Sequence, residues 1–280
     1  MNGFGARLTA AVAAHGPLCV GIDPHRELLE QWGLSDDPNG LERFSRAVVE
    51  AMAGAVAVVK PQSAFFERHG SAGIAVLEKV LADARAAELL VVLDVKRGDI
   101  GSTMGGYAQA YLADGAPLAA DAITVSPYLG FGSLGPALSL AAQTGRGLFV
   151  LARTSNPEGA AVQLARDDAT TTVAQSIVDA AAGANRGETP VGSVGVVVGA
   201  NRDHGLKLAE LNGPVLAPGL GAQGGSPDDI ARRFAELSGV VLPSASRSVL
   251  GAGPGRSALR DAAITLSDQL VTISGQSGEK

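Results

Sequence analysis

The stretch LDVKRGDIGST, residues 93 to 103, sets Asp94, Lys96, Arg97 and Asp99 at the end of an apolar run, in a chain of which only 18% is charged. Opposite charges this dense are useful where water is kept away. There, a fixed ammonium and carboxylate can stabilise charge that develops in a reaction, and the ammonium can deliver a proton. Asp94 and Lys96 are two apart, so in an extended chain they point to one face and Val95 to the other. Lys60, at the end of the neighbouring run Val56 to Val59, adds a second cation. Alone, the D-x-K-x-x-D string reads equally as a solvated loop or a structural ion pair. Lys60 on an adjacent strand end turns it into a candidate charge array.

A second set of residues could hold an anion. APGLGAQGGS follows the seventh β-branched run and SASRS follows the eighth. Loops in these two positions often bind phosphate in barrels, through backbone amides and a helix N-terminus. Gln223 offers an amide and Arg247 a planar fork for bidentate contact. The glycines 219, 221, 224 and 225 also read as plain turn residues. His25 and His69 are expected near the strand-to-helix side of the scaffold, without a partner that would assign them work, and Trp32 and Phe65-Phe66 read as packing because no basic stripe accompanies them.

These residues need a scaffold that brings distant strand ends together. Short β-branched runs recur at Leu18 to Ile22, Val56 to Val59, Leu89 to Leu93, Ala122 to Val125, Leu148 to Leu151, Val194 to Val198, Val215 to Ala217 and Val240 to Leu242, with helix-like stretches between them. Eight runs in that alternation predict an α/β chain folded as a (β/α)8 TIM barrel, one domain over residues 1–280. The other architecture in view, an open doubly wound sheet, would carry a glycine-rich loop after its first strand, where this chain has Asp23-Pro24-His25. Active sites of barrels lie just past the carboxyl ends of the strands. That rule collects Asp23, Lys60, Asp94, Lys96, Ser126, Thr154, Ser155, Gly199, Gln223 and Arg247.

Local signals fill in the rest. Ser226-Pro227-Asp228-Asp229 reads as a capped helix start, and Gly70-Ser71 opens an Ala-rich helix running to Ala87. Asp23 to Gly40 and Ser155 to Asp168 read as long loops, SPYLGFGSL as a lid or a plain turn, Ser257 to Ile273 as a final helix and Ser274 to Lys280 as a frayed tail.

Composition bounds the partners. A formal charge of -6 carries no general attraction for nucleic acid or an anionic membrane, and no apolar run is long enough to span a bilayer. Arg7 with LTAAVAA imitates a signal peptide only briefly before His15-Gly16-Pro17. Cys19 is the sole cysteine, which rules out an intrachain disulfide and fits a reducing, cytoplasmic setting, and the four histidines show no metal-ligand pairing.

With these residues in view, the chain resembles the orotidine 5'-phosphate decarboxylase family, in its longer bacterial (type 2) branch, over nearly its whole length. DVKRGDIGST carries the most specific match, and GIDPH, VVKPQSAFFE, TSNP, APGLGAQGG and SASRS follow the family's order. The resemblance implies a homodimeric TIM barrel that converts orotidine 5'-phosphate to UMP and CO2, the last step of de novo UMP biosynthesis, without metal or organic cofactor. By position it implies a catalytic array of Lys60, Asp94 and Lys96, completed by Asp99 from the neighbouring subunit, with Lys96 protonating the carbanion. Ile100 and Thr103 would travel with Asp99 into the partner's site, Asp23 would bind ribose, Ser155 the pyrimidine, Pro218 would line the pocket, and Gln223 and Arg247 would hold phosphate. Ser102 stands where many shorter members have Asn.

Two other readings stay open at this stage. Magnesium-dependent barrels that decarboxylate or condense sugar phosphates carry a similar D-x-K-x-x-D string, but need a further acid near the second strand, where this chain has Lys60 and, seven residues on, Glu67. A non-catalytic nucleotide-binding barrel would keep Gln223 and Arg247 without needing Asp94, Lys96 and Asp99.

Overall fold

All eight β-branched runs form strands, and each pairs in parallel with its sequence neighbour until the sheet closes on itself. The strands are β1 (Cys19–Ile22), β2 (Val58–Pro61), β3 (Leu90–Arg97), β4 (Ala122–Val125), β5 (Gly147–Arg153), β6 (Val194–Val198), β7 (Val215–Pro218) and β8 (Val241–Ala245). The computed structural model describes residues 2–166, 170–201, 203–221, 224–237 and 239–276. Helix α1 (Phe4–His15) precedes the barrel; α2 (Arg26–Gln31) and α3 (Pro38–Met52) follow β1; α4 (Ser63–Glu67) and α5 (Gly70–Ala86) follow β2. Then come α6 (Gly101–Leu112), α7 (Gly135–Thr144), α8 (Ala160–Gln163) and α9 (Val173–Ala184), and after β7 and β8 come α10 (Pro227–Arg233), α11 (Arg247–Leu250) and α12 (Arg256–Gln276).

Two apolar layers account for the closure. A larger one lies between the sheet and the outer helices and includes Val20, Val59, Leu93 and Val125, while the barrel interior is filled by Cys19, Val58, Val92, Ala122, Phe149, Val197, Leu216 and Leu242, one from each strand. Because strand side chains alternate, the residues two positions on also face inward. There the lining changes character to Lys60, Asp94, Thr124, Pro218 and Ser244. The barrel is therefore dry at its base and charged at its carboxyl rim.

The stretch that imitates a leader is the plug of that base. Helix α1 seats Phe4 and Leu8, both fully buried, in the interior layer, with the Phe4 and Phe149 rings edge to face at 5.9 Å. The fit depends on Gly147, where a Cβ would come within 2.3 Å of the Phe4 ring. Arg7 pairs with Asp121, whose other carboxylate oxygen accepts the Val91 N–H at 2.9 Å, so α1 is tied to the starts of β3 and β4.

The structure departs from the sequence expectations in four places. Strands β2, β3, β5, β7 and β8 run further towards their carboxyl ends than their β-branched cores, so Lys60, Asp94 and Lys96 lie within the last residues of β2 and β3 instead of past them. The presumed long loops after β1 and β5 contain α2, a short 3-10 turn at Pro157–Gly159 and α8. Among the described residues no helix joins β6 to β7. Gly205 and Asn212 adopt positive φ there (64° and 43°), and Leu206, Leu208 and Leu211 bury this segment in the larger apolar layer. Finally, α12 continues past Ile273 to Gln276, and residues 277–280 lie outside the described part. The signals at Ser226 and Gly70 hold: Ser226 and Asp229 form a reciprocal capping box, and α5 starts at Gly70. SPYLGFGSL ends in a 3-10 turn at Phe131–Leu134, with Tyr128 and Leu129 exposed before it.

Phe4→Ala is expected to lower unfolding stability by about 3–5 kcal/mol, the cost of an emptied aromatic site in a close-packed core. Urea titration followed by circular dichroism measures it, and a loss under 1 kcal/mol would mean that α1 is not part of the cooperative core.

Candidate active site

At the carboxyl rim the inner layer becomes a chain of charge. The Asp94 carboxylate accepts Lys60 Nζ on Oδ2 at 3.1 Å and Lys96 Nζ on Oδ1 at 2.6 Å. Thr124 Oγ1 donates to Oδ1 at 2.7 Å. Gln62, with its amide nitrogen assigned to the side facing Asp94, donates to Oδ2 at 2.7 Å. The Lys60 and Asp94 side chains are 9% and 10% exposed, whereas that of Lys96 is 45% exposed, so one lysine is a fixture of the wall and the other reaches into open space.

The backbone aims these groups. The β3–β4 register pairs Leu93 with Ile123 and Arg97 with Val125, so β3 carries two extra residues between those pairs. Within this bulge Lys96 has φ of 46°, a left-handed conformation that a side chain adopts at a cost of order 1 kcal/mol. Its N–H leaves the strand ladder and donates to Thr124 Oγ1 at 2.9 Å. Asp94 and Lys96 do meet as expected, but through a bulge and a left-handed Lys96 instead of the alternation of an extended strand.

Arg97 is explained as well. Its guanidinium donates to Glu67 Oε1 at 2.6 Å, donates to the Val95 carbonyl, and lies 5.7 Å and 5.9 Å from the Tyr107 and Tyr111 ring centres, which ties the end of β3 to α4 and α6.

The charges perturb one another strongly. Burial pushes the Asp94 carboxyl up, but the Lys60 and Lys96 cations, together with hydrogen bonds from Lys96 and Thr124, outweigh it and hold the group at about 2, below its ordinary 3.8. Burial likewise disfavours the Lys60 ammonium, and Asp94, Asp23 and Cys19 more than compensate, leaving it above its ordinary value. Beneath them the Cys19 thiol is pushed up to about 12, mainly by burial.

Beside this array opens a cavity of about 770 Å³, within the size range of small-molecule sites. Asp23, Lys60, Asp94, Pro218 and Arg247 line it, five of the residues expected from the sequence, together with His25, Gln62, Phe65 and Ser246. Asp23 Oδ1 and Ser246 Oγ are buried polar atoms without a hydrogen-bond partner among the described residues, and both belong to residues of the cavity wall. Arg247 is exposed at the rim and makes no ion pair among the described residues. Helix α2 brings the two halves of the rim together: Gln31 Nε2 and the buried Trp32 Nε1 donate to the carbonyls of Gly251 and Leu250, just after Arg247, at 3.2 Å and 3.0 Å. The glycine loop after β7 folds on itself, with positive φ at Gly219, Gly221 and Gly224, and places Gly219 and Leu220 on the wall.

Other expected residues are not in this group, Lys96 among them, which meets the array through Asp94 without lining the cavity. Ser155 lies in the loop after β5, against Gly199, where a Cβ would approach its backbone nitrogen to 2.9 Å, and does not line the cavity. Asp99, Ile100 and Thr103 lie at the start of α6; Asp99 Oδ1 accepts the Ile100 N–H at 2.8 Å, Ile100 is 61% exposed, and Thr103 is exposed. Gln223 falls outside the described residues. Thr124, Gln62 and Ser246 were not singled out from the sequence. Inward alternation along AITV would have found Thr124 as the polar residue one step above Ala122, and SASRS carried Ser246 beside the expected Arg247.

The closed eightfold barrel with a lysine-aspartate-lysine array at the carboxyl rim and a guanidinium after β8 defines an enzyme class: a barrel that handles an anionic small molecule by electrostatics. The chain belongs to the orotidine 5'-phosphate decarboxylase / HUMPS family, whose model matches residues 16–262. It is 60% identical over 264 residues to the orotidine 5'-phosphate decarboxylase of Salinispora arenicola, covering 94% of this chain and 95% of that one. Its identity to the orotidine 5'-phosphate decarboxylase of Streptomyces coelicolor is 58% over the same shares. A crystal structure from Streptomyces avermitilis superposes with a TM-score of 0.93 at 54% identity, over 98% of this chain and 97% of that one. No helix among the described residues is long and apolar enough to cross a membrane.

The depressed Asp94 carboxyl stabilises the folded state above pH 3.8, and this contribution, about 2 kcal/mol, is lost as pH falls towards 2. Lys60, being raised, holds its contribution up to its ordinary 10.5 and loses it only above that. The stability gap between wild type and Asp94→Asn is therefore expected to be level from pH 5 to 9 and to shrink by about 2 kcal/mol between pH 4 and 2, as other carboxylates cancel in the difference. Denaturant titrations across that range read the gap; a constant difference would contradict the shift.

Proposed function

We propose that the chain, acting as one catalytic domain, decarboxylates orotidine 5'-phosphate to UMP and CO2 in the cytoplasm, the last step of de novo UMP biosynthesis. The observation that carries this is Asp94 bonded by both Lys60 and Lys96, with Asp94 and Lys60 on the wall of a cavity that also offers Asp23 and Arg247.

The chemistry asks for such a wall. Breaking the bond from ring carbon to carboxylate leaves an electron pair in an sp2 orbital that the ring π system cannot share. In this reading the Lys96 ammonium faces that carbon, stabilises the growing charge and delivers a proton from Nζ, so that C–H replaces C–CO2; solvent then reprotonates the amine. Asp94 faces the departing carboxylate. Two like charges at about 4 Å repel by about 4 kcal/mol at an effective dielectric near 20, a part of the barrier. The remainder comes from preorganised Lys96 and from phosphate binding by Arg247 and Gln223, which draws the loops over the ring. Asp23 takes a ribose hydroxyl, Ser155 the pyrimidine once the β5 loop closes, and Pro218 packs on the ring.

The chain works as a homodimer in which Asp99, Ile100 and Thr103 enter the partner's site. Ile100, Tyr128 and Leu129 support this, as apolar side chains exposed in the segments after β3 and β4 that a second copy would cover. No metal takes part. The acid that the magnesium-dependent alternative would call on, Glu67, accepts from Ser63 and Arg97, and the cation beside Asp94 is already Lys60.

Wild type is expected to consume orotidine 5'-phosphate at full rate in excess chelator, and Lys96→Ala to fold and bind UMP while losing turnover by several powers of ten. An absorbance assay in EDTA measures both, and chelator-sensitive activity would revive the magnesium-dependent reading. Mixing inactive Lys96→Ala with inactive Asp99→Ala should restore activity through hybrid dimers that hold one intact site; no recovery at any mixing ratio would exclude a shared site.

A further inference from the structure

We infer that Thr124 is a positioning residue for the reaction, holding Asp94 and Lys96 in register with each other; this rests on the decarboxylase reading above. Thr124 is 1% exposed, lies on β4 and does not line the cavity, so it meets the array from within the wall. Its single oxygen does two things. It accepts the Lys96 N–H at 2.9 Å and donates to Asp94 Oδ1 at 2.7 Å, the same carboxylate oxygen that takes Lys96 Nζ.

These two bonds fix a direction. A hydroxyl has one proton and two lone pairs, so with the Lys96 N–H on a lone pair the proton is left for the carboxylate. The carboxyl group is then the acceptor, an arrangement that favours its anion. At the other end, the Lys96 N–H sits in a bulge where β3 and β4 are out of step, and Thr124 takes the place of the missing ladder carbonyl. The left-handed φ of Lys96 persists because that bond holds its peptide. Valine would fill the same volume and suit a strand equally well, so what threonine adds is the hydroxyl.

Loss of the hydroxyl leaves the part-buried Lys96 N–H without this acceptor and frees its peptide to relax, moving the ammonium from the reacting carbon. Displacement by about 1 Å is enough for a loss of about 100-fold in rate. Asp94 also loses one of the hydrogen bonds that favour its charged form, while the charged groups facing it, Lys60 from β2 and Lys96 from its own strand, with Asp23 just after β1 acting on Lys60 and the neutral Cys19 thiol below, remain.

The test compares full-length Thr124→Val and Thr124→Ser with wild type by kcat and KM for orotidine 5'-phosphate, UMP affinity by calorimetry, and the 13C titration of the Asp94 carboxyl, assigned with Asp94→Asn. Thr124→Val is expected to fold, to bind UMP within about threefold of wild type, to lose about 100-fold in kcat, and to titrate Asp94 at higher pH; Thr124→Ser should stay within about threefold throughout. Wild-type kcat in Thr124→Val would overturn the proposal, and so would equal losses of kcat and UMP affinity that serine does not rescue. Where the valine variant does not fold, Thr124→Ala is read the same way. If wild type itself does not turn over orotidine 5'-phosphate, the function reading fails and the titration decides: a rise in Thr124→Val reversed in Thr124→Ser keeps the positioning role, and an unchanged titration removes it.

Discussion

A carboxylate buried at the wall of a barrel is untenable alone, and the site follows from how Asp94 is made tenable. It needs cations at both oxygens and donors for the remaining lone pairs. Lys60 on β2 and Lys96 on β3 supply the cations; Thr124 on β4 and Gln62 after β2 supply the donors. Those four partners come from three neighbouring strands and the turn after one of them, so the array can form only when the parallel sheet is in register. Removing one partner of such a pair costs several kcal/mol, because the other charge stays buried. The site is therefore also a constraint on the fold. The apolar layer below it, from Cys19 round to Leu242, keeps water away from the charges on that side and so strengthens every interaction among them.

What could be read from the sequence was whatever depends on periodicity and on chain order. Eight β-branched runs declare eight strands because each is buried on both faces, and the residues at their carboxyl ends converge by the geometry of closure. Asp94 and Lys96 were legible as a pair because a strand alternates. The bulge that aims Lys96 was not: Val95, Lys96 and Arg97 are ordinary residues, and a positive φ at lysine leaves no compositional mark. Thr124 was hidden for a related reason, since threonine is a common strand residue whose hydroxyl matters only once its neighbours are known. Arg97 had no role in one dimension, because Glu67, Tyr107 and Tyr111 reach it from two helices. The segment between β6 and β7 looked helical by alternation alone, and its Gly205, Asn212 and Pro214 prevailed over that pattern.

The two ends of the barrel show how differently the same inward positions can be used. At the base Phe4 enters from outside the sheet and Gly147 makes room for it, so packing is complete and polar atoms are excluded. At the rim, Gly21 does the reverse: a Cβ there would lie 3.0 Å from Ser246 and 3.2 Å from the Asp23 carboxylate, so its absence leaves those two polar side chains their place in the wall. Small residues serve tight burial at one end and open polar surface at the other.

This contrast bears on what the rim is built for. Asp23 Oδ1 and Ser246 Oγ carry a desolvation cost of order 1–3 kcal/mol each when unpaired. A site selected only for stability would have paired them or replaced them with apolar side chains. Here the segments that carry them are joined, since the end of α2 is hydrogen-bonded to the carbonyls of Leu250 and Gly251, so donors and acceptors for a polar ligand are set before it arrives. Groups arranged in advance do not have to reorganise as charge moves, and that is the condition under which fixed lysines and carboxylates lower a barrier. Strain at Lys96, unpaired oxygens at Asp23 and Ser246, and a carboxylate wedged between two ammonium groups are thus parts of one arrangement, in which stability is given up at the rim and recovered in the packed base.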